Sequence, residues 1–348
     1  MKEVRRVRVG NLALGDGRVY VQSMTNVDTK DVEATVLQIE RLATVGCEIV
    51  RVAAYDLEAA NALKRIKERI SIPLVADIHY DAKIAIRAIE AGVDKIRINP
   101  GNIPSKALKE VVAAAKEHGV AIRVGANSGS LKREFLEHYR EKHVALAESV
   151  LEHVRALERL GFEDIVVSAK SSDVTETVEA NRYVRNKVDY PLHVGLTEAG
   201  YGSQAIVKSA IAIGTLLMEG IGETIRVSLS ADPVEEVRVA KWILGSLHLR
   251  KVPDLVACPT CARAEIDVMK LAEKVIALLD KFDKPIKVAV MGCVVNGIGE
   301  GADADIGVAG TKSGAVLMNK GRIVAQVPQD EIFQVLRREI ENWEDWRA

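Results

Sequence analysis

The chain has 348 residues, of which 48% are apolar, 28% charged and 4% aromatic, a balance that excludes a disordered polypeptide and allows a sizeable core. Its 48 Lys and Arg stand against 49 Asp and Glu, so no global basic field is available to hold nucleic acid and any anion site must be local. Met1 to Gly15 alternates basic and apolar residues without the apolar block of a leader, and Ala205 to Met218 is interrupted by Lys208, so a cytoplasmic protein without a membrane span is expected.

In chain order, β-rich runs occur at Val19 to Met24, Glu48 to Ala53, Leu74 to Asp77, Lys95 to Asn99, Ala121 to Gly125, Asp164 to Ser168, Leu192 to Leu196 and Thr224 to Ser228. Segments of helical period separate them, and glycines at 46, 92, 119 and 161 stand just before the next strand, where helices end. Asp232, Pro233 and Glu235 read as an N-cap, a first-turn proline and a capping-box acid. Eight strand-helix units within about 250 residues predict a parallel TIM (β/α)8 barrel over residues 1–247.

His248 to Asp254 reads as a linker, and a smaller α+β domain is expected over 255–348. It opens on Cys258-Pro-Thr-Cys261 and continues with a helix from Ala264 to Lys281, a strand from Ile286 to Met291 and a glycine-rich loop. A hairpin over Gly314 to Val327, turning at Asn319-Lys320-Gly321, and a closing helix from Asp330 to Trp343 complete it.

Four predicted barrel strands carry an arginine between β-branched neighbours: Arg51, Arg97, Arg123 and Arg226. Parallel strands covered on both faces are expected to be continuously apolar, so each guanidinium must pair with an acid, for instance on a neighbouring helix, or point at an anion. Asp77, His79, Asn99, Asn127, Ser168, Lys170, His193, Thr197, Glu198 and Ser228 gather at the same strand ends, the catalytic face of such a barrel. Several guanidinium forks around one mouth suit a diphosphate better than a carboxylate. Glu198 is the exception, because a carboxylate among cations meant for phosphate opposes binding unless it handles protons.

Cys258, Cys261 and Cys293 lie close in sequence, whereas Cys47 stands apart and reads as a core thiol. A dithiol motif would leave Cys293 unexplained, and structural zinc would lack a fourth ligand, since no histidine follows His248. Three cysteines without a nearby histidine favour an iron-sulfur cluster with another ligand on the remaining iron. Glu300, at the end of Gly297-Ile298-Gly299-Glu300, is the candidate, and spacing alone leaves the three readings open.

The runs Arg97-Ile-Asn-Pro-Gly-Asn, Leu196-Thr-Glu-Ala-Gly, Cys258-Pro-Thr-Cys-Ala-Arg and Gly292-Cys-Val-Val-Asn-Gly together resemble the 4-hydroxy-3-methylbut-2-enyl diphosphate synthase family of the non-mevalonate isoprenoid pathway. The resemblance runs from about Val19 to Gly310 and departs at Ile298, where many members carry proline, which bears on the stiffness of the Glu300 loop. It implies a [4Fe-4S] cluster on Cys258, Cys261, Cys293 and Glu300. It also implies that the strand arginines, Asp77, His79, Asn99, Asn127, Lys170, Glu198 and Ser228 contact a cyclic diphosphate. The implied reaction is a reductive ring opening with loss of water, fed by ferredoxin or flavodoxin, in a head-to-tail homodimer. Two rivals remain: a zinc-stapled barrel synthase acting on a phosphorylated substrate, and an electron carrier whose cluster serves a partner.

Overall fold

The computed structural model describes residues 3–344 except His79 and Asp283, and its contacts divide the chain into two units, Met1–Leu247 and His248–Ala348. In the first, Tyr20–Met24, Ile49–Ala53, Leu74–Asp77, Lys95–Ile98, Ala121–Asn127, Ile165–Lys170, His193–Val194 and Thr224–Ile225 form one parallel eight-stranded sheet. The last strand pairs with both the first and the seventh, and a bridge from Val167 to Leu192 closes the ring into a barrel.

Alternation decides which side chains face out and which face in. Val50, Val52, Leu74, Ala76, Ile96, Ile98, Ile122 and Val124 join the apolar shell shared with the surrounding helices. Asp31, Asp56, Asp81, Asp173 and Asp232 each accept a hydrogen bond from the first turn of the helix that follows, satisfying one of its free donors. The capping box expected at Asp232 is not formed. Its side chain accepts from Val234 N while Glu235 pairs with Arg238 three residues on, a closer and opposite charge.

Two further details depart from the expected strands. The seventh and eighth strands are two residues long rather than five, the seventh because beyond Val194 the chain turns through Gly195 at φ 148. A side chain there would meet the Arg226 carbonyl oxygen at 2.1 Å. The alternation near the N-terminus is a hairpin, Val7–Val9 with Leu12–Leu14. Its buried Val7, Val9 and Leu14 pack on Tyr20, Ile49, Val75, Ala121 and Val166, which start or nearly start their strands, so the hairpin plugs the bottom of the barrel.

The second unit is a five-stranded sheet in the order Asp254–Ala257, Lys287–Met291, Ile306–Thr311, Gly314–Asn319, Arg322–Pro328, parallel over its first three strands and antiparallel after. Val268–Leu279 and Ile332–Glu341 share one apolar core with it. Asp254, expected in the linker, begins a strand, and Ile306–Thr311 was not anticipated because Gly307 and Gly310 dilute its β signal. The hairpin turns as expected at Lys320-Gly321, both with positive φ (49° and 73°), the signature of a tight two-residue connection.

The glycine-rich segment after Met291 is not a loop. Val294–Glu300 is a seven-residue helix with Cys293 at its N-cap. Gly297 serves close packing: a side chain there would lie 2.8 Å from the Cβ atoms of both Ala309 and Met291. Among the described residues no helix is long and apolar enough to cross a membrane.

Candidate functional site

Above its apolar floor the barrel interior is polar, because the strands present Gln22, Arg51, Asp77, Lys95, Arg97, Arg123, Ser168, Lys170, His193 and Arg226 on their inward side. Parallel register sets Arg97 level with Arg123 on one side and with Asp77 on the other. The Asp77 carboxylate sits between two arginines, 3.3 Å from Arg97 Nη1 and 3.9 Å from Arg51 Nε. Arg51 also directs Nε and Nη2 at the Met24 sulfur, 3.0 and 2.9 Å away.

Arg226 takes the helix-pairing option. Its Nε and Nη2 lie 3.3 Å from Glu236, whose carboxylate also accepts from Ser23 Oγ and Leu229 N. Arg123 has no such partner: it is 3% exposed, and its Nε and Nη1 are buried without a hydrogen bond among the described residues. Burial, then Arg51 and Arg97, hold its pKa well below the ordinary value. A guanidinium does not lose its proton in practice, so this pressure is stored as repulsion that an anion would relieve.

Lys170 Nζ stands 3.3 Å from His193 Nε2, and His193 Nδ1 stands 2.9 Å from Thr224 Oγ1. Burial first, then the neighbouring cations, lower the pKa of both Lys170 and His193 well below their usual values. His193 is therefore a neutral imidazole between a hydroxyl and an amine.

The structure thus brings Arg51, Asp77, Arg97, Arg123, Ser168, Lys170, His193 and Arg226 into one barrel interior. Asn99 instead caps the turn Pro100–Asn102, accepting from Gly101 N at 3.1 Å. Asn127, Thr197 and Ser228 are half-buried at their strand ends, and His79 lies outside the described residues. Glu198 is exposed and holds a left-handed φ of 52°, uncommon for a residue with a Cβ. Sequence reading missed Lys95, Gln22 and Glu236. Lys95 could have been found from its inward parity with Arg97, whereas Glu236 looks like any first-turn helix acid.

In the second unit the parallel pair Asp254–Ala257 and Lys287–Met291 ends on the same edge, which delivers Cys258 and Cys293 just beyond neighbouring strands. Cys258 N donates to Val290 O, Cys261 follows on an exposed turn through Thr260 at φ 63°, and Glu300 is exposed at the end of its helix. All three cysteines are free thiols. Three soft thiolates with one hard carboxylate suit an iron-sulfur cluster by donor chemistry, although among the described residues no three potential ligands are grouped closely enough to hold a metal ion.

Residues 4–241 match the GcpE TIM-barrel domain and residues 254–342 match the GcpE protein C-terminal domain. The chain belongs to the GcpE family. It is 56% identical over 334 residues, 96% of each chain, to the 4-hydroxy-3-methylbut-2-en-1-yl diphosphate synthase (flavodoxin) of Thermotoga maritima. To the protein of the same name from Clostridium perfringens it is 52% identical, covering 98% of this chain and 99% of that one. A solved dihydropteroate synthase from Yersinia pestis shares the barrel fold at a TM-score of 0.52 and 14% identity, over 70% of this chain and 98% of that one.

Proposed function

We infer that this GcpE-family chain is a 4-hydroxy-3-methylbut-2-enyl diphosphate synthase. It opens 2-C-methyl-D-erythritol 2,4-cyclodiphosphate reductively: two electrons and two protons enter, one water leaves, and the allylic diphosphate is the product. The observation that carries this reading from the structure is the surplus of buried cations in the barrel, with Arg123 unpartnered among them. Identity above half with relatives bearing that enzyme's name, over nearly their full length, supports it.

The roles follow from charge and position. Arg51, Arg97, Arg123, Arg226 and Lys170 clamp the two phosphoryl groups, with Asp77 and Glu236 holding three of the guanidinium forks in place before the ligand arrives. The neutral His193 keeps the Lys170 amine aimed by hydrogen bonding. Asn99, Asn127, Ser168, Thr197, Ser228 and His79 line the substrate, and the exposed Glu198 delivers a proton from the mouth. A [4Fe-4S] cluster held by Cys258, Cys261, Cys293 and Glu300 supplies one-electron transfers and a Lewis-acidic iron. The electrons come from flavodoxin, as the relatives' name indicates for them, or from ferredoxin. The working form is a head-to-tail homodimer in the cytoplasm.

Turnover under anaerobic conditions tests the reading. The full-length protein, given the cyclodiphosphate and an artificial reductant, should release the allylic diphosphate and contain about four iron per chain. A zinc-bearing protein, or an iron-bearing one that does not consume the cyclodiphosphate, would sink it.

A further inference from the structure

Beneath the arginines lies a buried lysine that none of these roles uses. Lys95 opens the fourth barrel strand two residues before Arg97, on the same inward face. It is fully buried, and its Nζ donates to Gln22 Oε1 at 3.3 Å, while Gln22 Nε2 is buried without a partner of its own. The charges facing it are mainly positive: Arg51 from the second strand and Arg123 from the fifth, with the His193 ring from the seventh also within its field. Asp94, the acid just before it, is bonded instead to Lys67 Nζ and Leu74 N, and Asp77 is taken by Arg51 and Arg97. Among the described residues no carboxylate makes an ion pair with Lys95.

We propose that Lys95, resting on Gln22, forms the floor of the anion site and takes up a proton when a doubly charged ligand enters, a role that rests on the function inferred above. The physical reason is a change in the sign of the local field. In the empty barrel, burial first and then Arg123 and Arg51 lower the lysine pKa to about 7, so the amine loses most of its charge as pH rises above neutral. Two negative charges above the arginines cancel that repulsion and restore the ammonium. Lys95 is then a positioning residue that adds charge under the clamp without touching the ligand.

The sign of the linkage is fixed by this. The filled site has the higher pKa, so binding consumes a proton between the two values, and affinity falls as pH rises above about 7 by up to tenfold per unit. The ligand cannot be the source of that dependence. In a cyclic diphosphate each phosphorus carries an ester, an anhydride bridge and one strongly acidic oxygen, so it holds two charges throughout this range. His193, held well below its usual range by burial and the neighbouring cations, would take up a proton only at lower pH and with the same sign.

Calorimetry of cyclodiphosphate binding to the anaerobically purified full-length protein, repeated in buffers of different ionisation enthalpy, counts the protons. Near pH 8 the wild type should take up about one proton more than either Lys95→Met or Lys95→Arg. Affinity should drop several-fold over the next pH unit in the wild type and clearly less in Lys95→Arg, whose charge is permanent. Binding by the wild type with no proton uptake, or equal uptake in wild type and variants, overturns the proposal alone. Should neither variant fold, a wild-type affinity flat with pH still rejects it. No binding at all overturns the inferred function and this inference together.

Discussion

Arg123 keeps two guanidinium nitrogens in the barrel without partners, an arrangement that destabilises the empty protein and is useful only when an anion arrives. Arg123→Leu should therefore raise the stability of the ligand-free protein by about 1–3 kcal/mol while abolishing ligand protection, which for wild type at 100 times its Kd is about 2.7 kcal/mol. Thermal melts with and without cyclodiphosphate check both halves, and a variant that melts lower without ligand would contradict the first. His153 gives a pH prediction. It stands on the helix Lys142–Glu158 with a buried, unpartnered Nδ1, and its pKa is lowered to about 4 by burial and then by Lys132 and Arg97. The unfolded chain therefore binds a proton below about pH 6.5 that the native one refuses, and stability falls as pH drops from 6.5 towards 4. Urea unfolding should show this decline as shallower in His153→Leu; an unchanged slope would remove His153 from the acid limb. The arginine pattern was legible in the sequence because it broke an apolar period. Which arginine lacks a partner was not, since Glu236 and Asp77 reach their arginines only once strands and helices are packed.

Among the elements, the helix Val294–Glu300 shows how composition misleads. Two glycines in so short a run read as a flexible loop, yet Gly297 is small because the helix lies directly on the sheet. Gly297→Ala should cost about 1–3 kcal/mol through overpacking against Ala309 and Met291. Gly299→Ala, which faces open space, should be neutral or stabilising by up to about 1 kcal/mol, because alanine is the better helix former. Chemical denaturation of the full chain distinguishes them; equal effects would mean the segment is not held as a helix. Elsewhere the elements were legible where local chemistry sufficed. Glycines 46, 92, 119 and 161 all take the positive φ that a helix-to-strand turn needs, and the Lys320-Gly321 turn was set by its own residues. The N-terminal hairpin was not, because its short strands are stabilised by the barrel floor they cover.

For the whole molecule the question is which chain completes which site. The head-to-tail homodimer proposed above predicts that each site draws on both chains. Co-expressing Glu198→Gln with Cys258→Ser, each inactive alone, should then restore activity through one intact mixed site per heterodimer. Heterodimers that form but stay inactive would refute the two-chain arrangement. The sequence by itself determined the eight strand-helix repeats, the cationic character of the interior and the cysteine spacing, because alternation, capping and ligand chemistry are properties of residues near one another in the chain. Only the tertiary structure decided which cations are paired, that Lys95 lies unpaired among arginines, and that an N-terminal hairpin closes the barrel floor. Those depend on burial and on contacts between residues distant in sequence, where the loss of water sets the energy of a charge.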